Sequence, residues 1–182
     1  MQLQIHAATK ERWADLEKLF GKQGACNGCW CMYWRIGPEY HKRERLLNKT
    51  DLRKIVSGNQ PVGLIAYHNE VPVGWCQLTP KQDLSWLLKN GYGDLNKESI
   101  IWCISCFYIK SNYRKKGVTS ALVKVAVEYA KSAGADLLEA YPGKSPNSYT
   151  GYATTFLKAG FKMGDEAKYG RKVASYRFKK SS

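Results

Sequence analysis

Apolar positions recur along the chain with two different periods, and their order predicts alternating strands and helices. Leu3 and Ile5 alternate with polar neighbours between Gln2 and Ala7, which predicts a short opening strand. Trp13, Leu16, Leu19 and Phe20 then repeat at helical spacing between Thr9, an N-cap residue type, and Gly21. Gly24 to Gly37 carries Cys26, Cys29, Trp30, Cys31 and Trp34 and reads as an aromatic loop or short helix ahead of Pro38. Glu39 to Ser57 is rich in helix formers and predicts one bent helix or two short ones, stopped by Gly58 and Asn59.

Pro61 to Tyr67 and Val71 to Leu78 are β-branched and apolar around the turn-like His68, Asn69 and Glu70, a hairpin pattern. Lys81 to Glu98 is polar with one apolar island, predicting a loop with a helical turn that could border a substrate site. Ser99 to Ile109 is apolar on both faces, as a central strand covered on both sides would be. Val118, Ala121, Leu122, Val125, Ala126, Tyr129 and Ala130 follow the i, i+3, i+4, i+7 template and end near Gly134, predicting an amphipathic helix. Ala135 to Tyr141 reads as a strand stopped by Pro142, Tyr149 to Ala159 as a shorter helix, and Phe161 to Phe178 as a hairpin around Gly170. With no repeat, linker or low-complexity stretch, the order argues for one α+β domain over residues 1–182, built on a mixed sheet.

At 182 residues, 44% hydrophobic and 24% charged, the chain has the composition of a self-folding globular domain, which excludes disordered and collagenous classes. No apolar run reaches the roughly 18 residues of a membrane span, and the polar start lacks the apolar stretch of a signal peptide. The expected location is the cytoplasm, with no membrane partner, and its reducing milieu would keep the six cysteines as thiols or metal ligands. A formal charge of +14 draws polyanions, including nucleic acids and phosphorylated cofactors.

The densest chemical signal is Cys106 to Leu122, running from the central strand through a basic turn into the amphipathic helix. Unpaired N–H groups of the first helical turn and the positive end of the helix dipole converge there, and Gly117 permits close backbone approach to a phosphate. Arg114, Lys115 and Lys116 add charge. The turn lacks the Gly-Lys-Ser/Thr ending of a Walker A loop and the Gly-rich dinucleotide fingerprint, which argues against a nucleotide triphosphatase or a dehydrogenase.

Arg114-Lys115-Lys116-Gly117-Val118-Thr119 resembles the Gln/Arg-x-x-Gly-x-Gly/Ala motif of the GNAT superfamily of acetyl-CoA-dependent acyltransferases, departing from it at Thr119. The order of elements over nearly the whole chain and the Ala159-Gly160-Phe161 ending are similar too. The resemblance implies a mixed, mostly antiparallel central sheet flanked by helices, with a splay between the fourth and fifth strands that holds the pantetheine arm of acetyl-CoA. It implies that Phe107, Tyr108 and Ile109 pair with the pantetheine amides and that Lys115 to Ser120 hold the pyrophosphate, backed by Arg114. That set includes Lys116, Gly117, Val118, Thr119 and Ser120. Asn147 matches a position that often contacts the cofactor.

Two side-chain catalysts common in that superfamily are missing, because Cys103 stands where several members have a glutamate base and Phe156 where many have a tyrosine acid. Glu139 is the expected base, with Glu98 and Asp83 weaker, and Tyr141, Tyr149 and Tyr152 are nearby tyrosines; Glu139, Tyr141 and Tyr152 make the catalytic set. The implied function is transfer of acetyl from acetyl-CoA directly to an amine of an unidentified acceptor, with a homodimer allowed. The alternative is a non-catalytic nucleic-acid-binding or acyl-CoA-sensing regulatory protein on the same fold. No metal is expected: Cys26, Cys29 and Cys31, with Cys76 as a conceivable fourth ligand, read better as a packed apolar cluster, and Cys103 and Cys106, three apart on a strand, should face opposite ways.

Overall fold

A computed structural model describes residues 1–92, 99–143, 149–167 and 171–179. Seven strands form one sheet in the order β1-β2-β3-β4-β5-β7-β6: β1 (Gln4–Ala7), β2 (Gly63–His68), β3 (Val71–Pro80), β4 (Ile101–Ile109), β5 (Leu137–Ala140), β6 (Lys162–Ala167) and β7 (Arg171–Arg177). Every neighbouring pair is antiparallel except β4 and β5, which run parallel. The helices are α1 (Trp13–Phe20), α2 (Tyr33–Ile36), α3 (Glu39–Lys42), α4 (Arg45–Ser57), α5 (Ser85–Lys89), α6 (Val118–Ser132) and α7 (Ala153–Lys158). The Glu39 to Ser57 stretch is therefore two helices, and the loop after β3 holds a 3-10 turn at Lys81–Asp83 followed by α5. Among the described residues, no helix is long and apolar enough to cross a membrane.

The two faces of the sheet bury different sequences. On one face, Val118, Leu122, Val123, Ala126 and Ala130 of α6 and Phe156 of α7 pack on Leu64, Val73, Cys76, Ile104 and Phe107. Burying a side chain such as Leu122 contributes about 1.5–3 kcal/mol, and the amphipathic spacing lets five positions of one helix do so together. On the other face, α1 and α4 cover Ile65, Tyr67 and Trp75, while Trp34, Leu84, Leu87, Tyr92, Cys103 and Tyr141 form a neighbouring cluster. Gly74 sets how closely α6 seats: a Cβ there would lie 2.7 Å from Val118 Cγ1 and 3.0 Å from Ile109 Cδ1.

The expectation that Cys103 and Cys106 face opposite sides is overturned. Gln77 pairs with Cys106 but Leu78 pairs with Ile104, so Ser105 is an extra residue in β4, a β-bulge. The bulge shifts the alternation by one. Cys103 joins the cluster around Tyr141, and Cys106 packs beside Trp75 on the same side of the sheet. Cys76 faces α6 on the opposite side, so the hairpin does not bring it to the Cys26–Cys31 loop.

Gly74→Ala should lower unfolding stability by about 1–3 kcal/mol in urea titration, as overpacking does. Combined with Val118→Ala, which removes the clashing methyl, the loss should be less than the sum of the two single changes.

Candidate functional site

β4 and β5 begin as neighbours and then part. Their pairing runs from Ile101 and Leu137 to Ile104 and Ala140, whereas β4 continues to Ile109. Two features end the pairing: the Ser105 bulge in β4, and Pro142 just past β5, which has no N–H to donate. Both are held. Ser105 is fully buried, its Oγ donates to Gln77 Oε1 at 2.8 Å, its carbonyl accepts from Trp34 Nε1 at 2.8 Å, and Gln77 Nε2 donates to the Cys31 carbonyl at 2.9 Å.

The edge of the gap is narrower than the three-residue expectation. Lys110 N–H bonds to the Val73 carbonyl, so by strand alternation Ile109 turns its own N–H and C=O toward the gap. Tyr108, opposite Trp75, turns its backbone toward β3 and its ring toward Phe20; the gap is therefore edged by Phe107 and Ile109 alone. The N–H of Phe107 already donates to the Tyr149 carbonyl at 2.5 Å, and the Ile109 carbonyl accepts from Arg114 Nε at 3.1 Å. The Ile109 N–H faces the gap at its wide end.

Beyond Ile109 the chain makes a 3-10 turn at Ser111–Tyr113 and enters α6 through Arg114 to Gly117. Gly117 has φ +82° and a Cβ there would meet nothing within 4 Å, so this glycine serves backbone conformation and open approach rather than packing. Lys115 is also left-handed, at φ +58°. No acidic residue occupies the first turn of the 15-residue α6, and Arg114, Lys115 and Lys116 are exposed. The N–H groups of Val118, Thr119 and Ser120 thus point with the helix dipole into a cationic cradle at the mouth of the gap. Lys116 Nζ rests 5.7 Å over the Tyr113 ring. A groove of about 700 Å³ continues from Ser120 past Lys124, Lys131, Thr155, Lys158 and Arg177. Asn147 and Glu98 lie outside the described residues.

On the opposite face, β5 points Glu139 toward the cluster of Trp34, Leu84, Leu87 and Tyr92. Glu139 is 9% exposed, and its Oε2 accepts from Lys81 Nζ at 2.9 Å and from the Tyr141 hydroxyl at 2.6 Å. Its Oε1 takes no hydrogen bond from the described residues. Lys81 is only 1% exposed, a cation that nothing in its sequence surroundings singles out, since it opens a polar loop. Cys103, registered beside Glu139 across the parallel pair, has its Sγ 3.2 Å from the Tyr141 hydroxyl. Burial pushes the Cys103 thiol up to about 12, with the Glu139 charge adding to it, and burial followed by the nearby Cys103 and Glu139 pushes the Tyr141 phenol well up. Tyr141 therefore keeps its proton and commits it to Glu139. Tyr152 stands at the N-terminus of α7, 48% exposed. Asp83 is engaged elsewhere, its Oδ2 lying 3.3 Å from Thr79 Oγ1 and its carbonyl accepting from Arg35.

The arrangement can hold a phosphorylated, amide-bearing thioester along a sheet edge and present a carboxylate from the other face. Among the described residues, no three His, Cys, Asp or Glu side chains are grouped to hold a metal ion.

A family model described as the acetyltransferase (GNAT) family matches residues 27–150. No curated protein matches the chain. Similar solved structures include the PaiA N-acetyltransferase from Thermoplasma acidophilum in complex with coenzyme A, at 16% identity, covering 98% of this chain and 100% of that one, TM-score 0.58. YncA from Salmonella typhimurium, a putative acetyltransferase with its cofactor acetyl-CoA, is 12% identical over 99% of this chain and 96% of that one, TM-score 0.59. A polyamine N-acetyltransferase from Drosophila melanogaster, which catalyses formation of N-acetylagmatine, is 8% identical over 97% and 100%, TM-score 0.59. At these identities the likeness is one of fold.

Glu139→Gln leaves the Lys81 charge buried without a counter-charge and should cost about 3–5 kcal/mol of unfolding free energy. The double change Lys81→Met and Glu139→Gln removes both charges and should recover most of that loss in the same urea titration.

Proposed function

Because the chain belongs to the acetyltransferase (GNAT) family, we propose that it transfers acetyl from acetyl-CoA directly to an amine acceptor, through a single domain spanning residues 1–182. The observation that carries this reading is the parting of β4 and β5 over a left-handed Gly117 at the start of α6, with a buried carboxylate on the far face. The residues fit the donor. The N–H groups of Val118 to Ser120, with Arg114, Lys115 and Lys116, would hold its pyrophosphate, and the basic groove past Lys124 and Lys158 suits its remaining phosphate. The pantetheine arm would lie along the gap beside Phe107 and Ile109.

Ile109 N–H, facing the wide end of the gap, polarises the thioester carbonyl and stabilises the charge that builds on its oxygen. The amine nitrogen attacks the carbonyl carbon, the carbon–sulfur bond breaks, and the sulfur leaves as thiolate. Glu139, registered with Cys103 at the closed end of the gap, takes the proton lost by the amine on Oε1 through intervening water, while Lys81 and Tyr141 fix the carboxylate through Oε2. Tyr141 is thus a positioning residue. A thiol with a pKa of about 8.5 leaves without a dedicated acid, and Tyr152 is the tyrosine proposed to assist it. The aromatic cluster of Trp34, Trp86, Tyr92 and Tyr141 packed around Glu139 would favour an acceptor with an apolar or flat body behind its amine.

The test is a panel of amines, mono- and polyamines, amino acids and peptide N-termini, incubated with protein and acetyl-CoA and read as a mass gain of one acetyl group. An acceptor should emerge whose turnover falls at least roughly a hundredfold in the Lys81→Met and Glu139→Gln double variant, the range of a lost general base, while acetyl-CoA binding persists. A protein that binds acetyl-CoA but acetylates no amine would instead be the non-catalytic sensor.

A further inference from the structure

Acetyl transfer as derived above uses none of the cysteines, yet three of them, Cys29, Cys31 and Cys106, form a file that runs from the Gly24–Cys31 loop to β4. Cys31 Sγ lies 3.9 Å from Cys106 Sγ and 3.1 Å from Trp75 Nε1, which donates to it. Cys29 lies two residues before Cys31 in the same loop, with its thiol 3.8 Å from the Gly24 carbonyl. Cys31 is buried, whereas Cys29 and Cys106 at the two ends of the file are partly exposed. A small reagent can reach the ends but not the middle.

The loop that delivers these sulfurs is wound in an uncommon way. Six of its eight residues, Gly24, Ala25, Asn27, Gly28, Trp30 and Cys31, have positive φ. For the four that are not glycine this is backbone strain, which persists only where surroundings over-determine it. They do so here: Asn48 Nδ2 donates to the Gly28 carbonyl at 2.8 Å and Gln77 Nε2 to the Cys31 carbonyl at 2.9 Å. The Cys31 thiol and then the backbone N–H groups of Cys31, Cys26 and Cys29 stabilise negative charge on Cys29 Sγ, bringing its pKa down to about 6. Cys31, beside Cys106 and Cys29 and fully buried, is pushed well up. One thiolate is thus poised next to one retained thiol, the arrangement that makes a cysteine reactive and gives it a resolving partner.

We propose that Cys29, Cys31 and Cys106 form a peroxide-reactive thiol relay whose oxidised product is a Cys31–Cys106 disulfide joining the loop to β4. The Cys29 thiolate attacks a hydroperoxide, breaking its O–O bond to give Cys29 sulfenic acid and, after proton uptake, an alcohol or water. The Cys31 thiol displaces water from that sulfenic acid and forms a Cys29–Cys31 disulfide. Cys106 then attacks the Cys31 sulfur, Cys29 leaves as the thiol, and two thiols have been oxidised for one hydroperoxide reduced. Exchange runs toward Cys106 for two reasons. A disulfide between residues two apart is strained, and the fold already holds the Cys31 and Cys106 sulfurs 3.9 Å apart, so closing that link needs no further ordering of the chain. The link falls one residue before Phe107, the inner edge of the gap.

The test needs no acceptor and does not depend on acetyl transfer. Reduced protein is treated with stoichiometric hydrogen peroxide, alkylated, digested with trypsin without reduction and analysed by mass spectrometry. Peptides 23–35, with Cys26, Cys29 and Cys31, and 98–110, with Cys103 and Cys106, should appear joined, with fragment ions placing the bond at Cys31 and Cys106. Four of the six thiols should still titrate. Cys29→Ser should slow the joining by roughly tenfold or more, and Cys106→Ser should abolish it. Unjoined peptides in the wild type, whether their thiols stay free or pass to sulfinic acid, would overturn the proposal, as would joining at the wild-type rate in Cys29→Ser.

Discussion

A single extra residue in the central strand, Ser105, governs how this molecule is organised. A buried bulge leaves backbone groups off the ladder, and an unsatisfied one costs about 1–3 kcal/mol. Here its carbonyl is met by the Trp34 indole and its hydroxyl by Gln77, which in turn holds the Cys31 carbonyl. The same contacts that make the bulge tolerable anchor the N-terminal aromatic segment onto the sheet. Because the ladder breaks at this point, β5 can depart from β4 after four paired positions, and the gap opens where α6 begins.

From that break follow two faces with separate duties. On one, Gly74 lets α6 lie close enough to bring its first N–H groups to the mouth of the gap, where clustered cations and the absence of acid in the first turn favour a polyanion. On the other, the changed parity turns Cys103, Cys106 and the register partner Glu139 toward the aromatic segment. The carboxylate arrives there with its charge already balanced by Lys81 and its orientation held by Tyr141. A buried pair of this kind adds little net stability, so its burial beside the gap is better understood as the cost of keeping a charged, oriented oxygen out of bulk water.

The cradle was legible in the sequence because its signals are local: an apolar strand, a cationic turn, a glycine and a three-turn amphipathic repeat follow one another without a break. The place of Glu139, on a strand next to the gap, was legible for the same reason. The direction of Cys103 and Cys106 was not, since counting alternate residues assumes a strict period of two and Ser105 violates it. Lys81 was hidden in a polar loop, and its partner lies 58 positions away. The placing of β7 between β5 and β6, and the convergence of Cys29, Cys31 and Cys106, are likewise products of long-range packing that no window of sequence contains. The Tyr149 carbonyl on Phe107 belongs with them, whereas Tyr108 leaves the edge of the gap because strand alternation turns its backbone to β3.

The most direct measurement is an amide-resolved NMR titration of the protein with acetyl-CoA at fixed moderate salt. The account predicts that the N–H signals of Ile109, Gly117, Val118, Thr119 and Ser120 shift saturably and together, with one-to-one stoichiometry, and that Tyr108 moves less than Ile109. Shifts confined to other surfaces, or none with the protein folded, would contradict the assignment of the β4–β5 gap as the acetyl-donor site.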